Sequence, residues 1–339
     1  SRVEEDRQTL VLEADWNWRD NWIFRGSISG GSYAINTRES SRGTQFEAKG
    51  RVSAAYRLKE RTTITYESRH EIGQLSFSQF LASSNLSSEI LQAGAGSLQP
   101  ERTWNHSINY DQRFGDRGVL KFGLNHQNVQ NPVRSVPLSD TLVVSQNTSP
   151  EKINRFNASV EYPFTRFGLE SLVLNTSLTI TDSETIDPVT GEKREVPWAT
   201  PKQWSFGLRK NPGQGKWTWG LNAFKRTFND NYSVRSTRER ERSYEWRAFA
   251  DWEIINLFKL RGRIDGPRRE SNISSFFSSV RQTGIDPSFF SSSISRRDTS
   301  ASFSLEWRRT RNLEVTATLN TRPRFRSEET LLAFGETTG

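Results

Sequence analysis

The 339-residue sequence contains no cysteine, which excludes disulfides, thiol nucleophiles and thiolate metal sites. It holds only three histidines, His70, His106 and His126, too few and too widely spaced along the chain to suggest a metal cluster. No run of about 18 apolar residues occurs, so crossing a membrane by helices is excluded. No signal peptide opens the chain. Hydrophobic residues make up only 33% of the sequence, less than the aliphatic core of a water-soluble protein of this length asks for. Aromatics nevertheless reach 12%, with 11 tryptophans and 21 phenylalanines. A sheet that must be apolar on one side only reconciles the two figures, and a barrel with a wet interior is such a sheet.

Lys and Arg number 47 against 39 Asp and Glu, a formal net charge of +8. An excess of that size points to nucleic acid, anionic lipid or an anionic ligand. The two signs are mixed along the whole chain, however, which is the pattern of solvated faces and loops. No carboxylate stands with a histidine in a spacing that suggests hydrolysis, so no catalytic residue is nominated. Gly94 to Gly96 is glycine-rich but precedes no Lys-Ser/Thr phosphate cradle. No cofactor is implied.

Period two dominates what is there. Leu10, Leu12, Ala14, Trp16 and Trp18 alternate with Val11, Glu13, Asp15 and Asn17. Leu120, Phe122 and Leu124 enclose Lys121 and Gly123, and Trp217, Trp219, Leu221 and Ala223 enclose Thr218, Gly220 and Asn222. Such runs are strands with one apolar side, and their length of roughly ten residues suits a tilted membrane crossing. The pattern predicts fourteen strands, at 8–18, 22–29, 45–58, 61–69, 101–113, 119–130, 153–163, 170–182, 201–210, 216–229, 242–253, 257–266, 299–308 and 312–321. The fold class expected is all-β, an antiparallel up-and-down transmembrane barrel with no helix longer than two turns.

The connections carry a second pattern. Short links such as 19–21, 59–60, 114–118 and 211–215 alternate with long ones at 30–44, 70–100, 131–152, 183–200, 230–241, 267–298 and from 322 onward. Outer-membrane barrels alternate short periplasmic turns with long extracellular loops in this way. The charge-balanced run Arg235 to Arg242 reads as a solvated loop, and Ser274 to Ser279 with Ser291 to Ser295 as a long flexible one. Tryptophans near strand ends fit aromatic girdles at headgroup level. Placing charge in hydrocarbon is costly, so Trp219, Trp246, Phe258, Leu260, Phe303 and Leu305 are expected to face lipid. Lys121, Arg247, Lys259 and Arg263 are expected to point into the lumen.

Particular motifs resemble the barrel of TonB-dependent receptors. Gly94, Leu98, Pro100, Glu101 and Trp104 fit that family's Gly-Asn-Pro-x-Leu-x-Pro-Glu element and its following aromatic, with Ala95 and Gly96 replacing Asn-Pro. Tyr110 to Leu124 is similar to the family's next hairpin. Thr181 to Val196, with Pro201, Trp204 and Gly207, resembles a loop and down-strand of many members. These residues are architectural: Pro100 suits a strand entrance, and Asp187 to Gly191 forms a turn.

The resemblance implies a barrel of twenty-two strands around a plug, in the outer membrane of a Gram-negative bacterium. It implies import of a scarce nutrient (iron chelate, cobalamin or carbohydrate), energised by the inner-membrane TonB complex through the plug and its TonB box. Implied partners are outer-membrane lipids and lipopolysaccharide, the chain's own plug and a small ligand; nucleic acid is not among them. Residues 1–339 are expected to be one partial barrel domain, strands eight to twenty-one, with the plug and first strands upstream and a closing strand after Gly339. The lumenal arginines would meet either acidic plug residues or an anionic substrate. Two other readings stay open: a passive or structural barrel, and a soluble β-rich glycan or nucleic-acid binder.

Overall fold

In the computed structural model, residues 3–37, 41–76, 79, 83–85, 90–93, 95, 98–115, 118–139, 142–169, 171–210, 216–233, 235–242, 245–255, 258–282, 284–310, 313–321 and 325–333 are described. Among these residues there is no α-helix. The first strands are β1 (Val3–Trp18), β2 (Trp22–Thr37), β3 (Ser41–Lys59), β4 (Thr62–Ile72), β5 (Ser83–Asn85) and β6 (Ile90–Ala93). There follow β7 (Arg102–Phe114), β8 (Gly118–Gln130), β9 (Val133–Ser139), β10 (Leu142–Asn147), β11 (Glu151–Pro163) and β12 (Leu172–Ile186). The next six are β13 (Lys193–Arg194), β14 (Lys202–Lys210), β15 (Trp217–Arg226), β16 (Asn231–Tyr232), β17 (Ser236–Arg242) and β18 (Glu245–Ile255). The last six are β19 (Phe258–Asp265), β20 (Arg268–Phe276), β21 (Phe289–Arg297), β22 (Ser300–Thr310), β23 (Leu313–Asn320) and β24 (Phe325–Ala333).

The large sheet runs β1-β2-β3-β4-β7-β8-β11-β12-β14-β15-β18-β19-β22-β23, with β13 attached to β12. Each of its main-path strands overlaps one of the fourteen that period two predicts. The order never departs from chain order, as an up-and-down meander requires.

Three expectations about loops are corrected. Residues 30–44 are largely strand, because β2 and β3 continue pairing as far as Asn36 with Ser41. Arg235 to Arg242 contains β17 rather than a solvated loop; of the Ser-rich stretches, Ser274 to Phe276 ends β20 and Ser291 to Ser295 lies within β21. Those strands form a second sheet, β16-β17-β20-β21-β24. A third, β5-β6-β10-β9, arises from 70–100 and 131–152. The physical reason is backbone accounting: a long connection beside another satisfies its N–H and C=O groups by pairing instead of by water.

The chain divides into two compact units, residues 1–112, 123–155 and 183–196, and residues 113–122, 156–182 and 197–339. In the first, the buried apolar side chains gather under the long connections: Leu98, Val129, Ile153 and Val196 are all at most 1% exposed. Along the strands themselves the apolar face stays open, with Leu12, Trp16, Ile28, Val52 and Ile108 exposed. In the second unit Trp217, Trp252, Phe303, Leu305 and Leu319 are likewise exposed. In each unit such an exposed apolar face is a surface that water does not stabilise.

Candidate functional site

The register in the second unit fixes which side chains share a face. Trp219 stands opposite Ala250, Ala250 opposite Gly262, Gly262 opposite Phe303 and Phe303 opposite Leu319. One step along, Trp252, Leu260, Leu305 and Ala317 form a parallel row, and Phe258 pairs with Trp307. Trp246 opposes Ala223 and has the same parity. All six residues expected to face lipid therefore lie on one face.

Arg247, Lys259 and Arg263 lie on the other. There Arg247 Nε donates to Asp265 Oδ1 at 2.7 Å and Arg263 Nε to Asp265 Oδ2 at 2.9 Å, while Arg261 pairs with Glu306. Lys121 alternates with Leu120 and Phe122 on β8 and is exposed.

The family-like motif sits in the first unit, at the start of β7. Leu98 and Pro100 are buried, Glu101 and Trp104 are partly and more openly exposed, and Gly94 lies outside the described residues. A polar clasp holds the segment. Asn147 Nδ2 donates to the carbonyls of Gln99 and Asn131, each at 2.8 Å, and its Oδ1 accepts from the Gln99 N–H at 2.7 Å. Asn131 Nδ2 donates to Gln99 Oε1 at 3.1 Å. Next to it the Gly73 N–H donates to the Glu101 carbonyl at 2.8 Å, and Arg134 pairs with the buried Glu151. Desolvation raises the Glu101 carboxyl above its ordinary value, against the pull of Arg134 and with the push of Glu151. The turn expected at Asp187 to Gly191 is present: Gly191 has φ 75° and its N–H donates to the Asp187 carbonyl, while Asp187 Oδ1 accepts the Val189 N–H.

The feature with most binding character lies in the second unit, at the ends of β14 and β15 away from their short link. A recess of about 340 Å³ is lined by Trp198, Thr200, Arg226, Phe228, Arg238 and Arg240, among others. Thr227 builds it, since its N–H and hydroxyl both bond the Lys202 carbonyl and its Oγ1 accepts the Lys202 N–H at 2.9 Å. Those bonds extend the β14–β15 pairing by one rung and set Phe228 just beyond it. The guanidinium carbons of Arg226 and Arg240 stand 5.3 and 4.6 Å from the Phe228 ring centroid, within cation–π range. Arg226 also donates to Thr200 Oγ1 at 2.6 Å, and Arg240 to Glu270 Oε1 at 2.7 Å. Glu270 accepts from Arg268 as well, at 2.8 Å, so it is shared between two cations. Arg238 is exposed.

Three guanidinium forks and two aromatic rings make a surface suited to an anion with a planar or apolar part. Among the described residues no three of His, Asp and Glu come together as metal ligands would.

The recess was not read from the sequence. Its signal was present: Thr237, Glu239 and Glu241 alternate with Arg238, Arg240 and Arg242, itself a period-two pattern. It is masked by having no apolar side.

The sequence matches no protein-family model and no curated protein. In structure it is similar to the FrpB iron transporter from Neisseria meningitidis, with a TM-score of 0.57 and 9% identity over 78% of this chain and 41% of that one. A looser likeness joins it to FpvA of P. aeruginosa bound to pyoverdine and iron, with TM-score 0.32 and 8% identity over 98% of this chain and 65% of that one. The FrpB likeness is one of fold: this chain carries an antiparallel barrel-type sheet like that of the FrpB structure. It spans 41% of the length of the FrpB chain.

Proposed function

We propose that the chain is part of the barrel of a TonB-dependent outer-membrane transporter that imports a scarce anionic nutrient. The observation that carries this reading is the arginine–aromatic recess at the long-connection end of a sheet with one exposed apolar face. In this reading Trp219, Trp246, Phe258, Leu260, Phe303 and Leu305 face lipid, and Lys121, Arg247, Lys259 and Arg263 face the lumen. Long connections stand outside the cell, where the recess meets solute first. Arginine suits that task because its fork grips carboxylate, catecholate or phosphate oxygens in pairs. The remainder of the barrel, a plug and the inner-membrane coupling complex belong to the same proposal, as does an anionic iron chelate ahead of cobalamin or a neutral carbohydrate.

The test is titration calorimetry on the full-length protein, with an anionic ferric chelate and a neutral oligosaccharide as probes. Binding of the anion alone, lost in Arg226→Gln/Arg238→Gln/Arg240→Gln, supports the reading. Equal binding of the oligosaccharide, or none of the anion, sinks the ligand class. Uptake that survives collapse of the proton gradient makes the protein a passive pore.

A further inference from the structure

The three histidines, scattered in sequence, stand in one line in the fold. His70 on β4 faces Trp104 on β7 in register, with ring centroids 4.4 Å apart. Trp104 and His106 follow at 6.1 Å, and His106 and His126 on β8 at 6.5 Å, all stacked within 30° of parallel. Tyr66 adds its hydroxyl, 3.1 Å from His106 Nδ1, and His126 Nδ1 lies 2.7 Å from Asn154 Oδ1 on β11. The belt thus crosses four strands of the first unit.

Its face is the apolar one. Tyr66 opposes Ala54 and Ile108, and Ala54 opposes Phe24. At the opposite, short-link end the same face carries a belt of another kind. Trp16 stacks on Phe24 at 5.5 Å, Trp22 on Phe24 at 5.5 Å, and Trp22 lies 4.6 Å from Tyr56. One belt is indole, phenyl and phenol; the other is mostly imidazole.

Beyond the imidazole belt the face turns basic. Arg102, two residues outward of Trp104 on β7, is exposed. Lys152 stands two residues outward of Asn154 on β11 and pairs with Glu184 at 3.3 Å. Lys193 pairs with the same carboxylate at 2.5 Å, so one acid answers two cations. The sequence of zones on this end is apolar, then imidazole and tryptophan, then an excess of positive charge. That is the order of chemistry met when leaving hydrocarbon through a layer of phosphate-bearing headgroups.

We infer that the belt His70–Trp104–His106–His126, with Arg102 and Lys152 as its rim, docks phosphate-bearing lipid of the leaflet at the long-connection end. The occupant is a lipid and not a free phosphate because the belt borders exposed Ile108, Leu124 and Val52, against which acyl chains lie. Imidazole N–H and indole N–H groups donate toward phosphate oxygens while their ring faces stay stacked, and the two cations supply the charge-assisted bonds.

The inference rests on the apolar face being lipid-facing, and the experiment separates the two. Native mass spectrometry of the full-length protein in detergent follows retention of phosphatidic acid and of diacylglycerol with the same acyl chains. The expected result is preferential retention of phosphatidic acid, reduced roughly tenfold in Arg102→Gln/Lys152→Gln. His70→Phe/His106→Phe/His126→Phe keeps the stacked rings and should also lose the preference while retaining diacylglycerol. Equal retention of the two lipids by the parent, or an unchanged preference in both variants, overturns the docking site and leaves the membrane face standing. A protein that stays dispersed without detergent and retains neither lipid overturns both. Heat-modifiable migration on gels checks that each variant is folded.

Discussion

Phe249 of β18 lies over Gly220 of β15, so close that a Cβ on the glycine would stand 2.6 Å from the ring's Cε1 and 3.2 Å from the Leu208 carbonyl. The two residues are directly opposite one another in the ladder. A glycine here leaves a gap in the row, and the ring of its cross-strand partner fills it. Gly220→Val should therefore expel the ring and destabilise the full-length barrel by about 1–3 kcal/mol. Gly262→Ala should cost less, because its Cβ meets the Phe303 ring only at 3.3 Å. The temperature at which gel migration shifts measures both; equal shifts would refute the comparison.

Leu260 and Lys259 differ by one residue and by face. Leu260→Arg should destabilise the protein by roughly 2–4 kcal/mol if the residue stands mid-bilayer, whereas Lys259→Leu should change stability little. Cysteines at Trp246 and Arg247, labelled and exposed to a lipid-soluble quencher, provide the second readout. Quenching at position 247 in preference to 246 would invert the proposed faces.

The loop sheet can be locked. Ser274 of β20 and Ser291 of β21 are directly opposed partners, and the chain has no cysteine to compete. Ser274→Cys/Ser291→Cys is expected to oxidise spontaneously in the full-length protein, while Ser274→Cys/Ser292→Cys is not, since adjacent residues point to opposite faces. Electrophoretic mobility with and without reductant distinguishes them. Two bonds formed with equal ease would mean a mobile loop.

Glu101 gives a pH-dependent prediction. Its folded value is raised chiefly by desolvation, so its ionised form is disfavoured in the folded chain. That penalty is absent below its ordinary value of 4.5 and grows as pH rises through the folded value. Glu101→Gln removes it. Thermal stability of the variant should exceed that of the parent at pH 7 and approach it near pH 4; a gap that widens on acidification would contradict the assignment.

The main meander was legible because alternation and link length are local properties. Leu120, Lys121 and Phe122 announce a half-apolar strand without knowledge of any neighbour. The five-stranded loop sheet was not legible where its strands are polar on both sides: Ser291 to Ser295 and Arg235 to Arg242 give no contrast for period two to register. What pairs them is the proximity of other connections, which only the assembled meander supplies. The histidine line was invisible for the same reason. His70 and His106 are thirty-six positions apart in the chain, yet lie on adjacent strands two register steps from one another.

The five-stranded loop sheet joins connections that leave the meander at separate places, at 227–244, 266–299 and beyond 321. Its surface is therefore a composite drawn from distant stretches of sequence. An antibody raised against a free peptide of residues 271–276 would meet, in the folded protein, a backbone already engaged on both edges, by β17 and by β21. Any binder of this surface reads the paired shape, so a substitution in one connection alters what is presented beside its neighbours in the ladder.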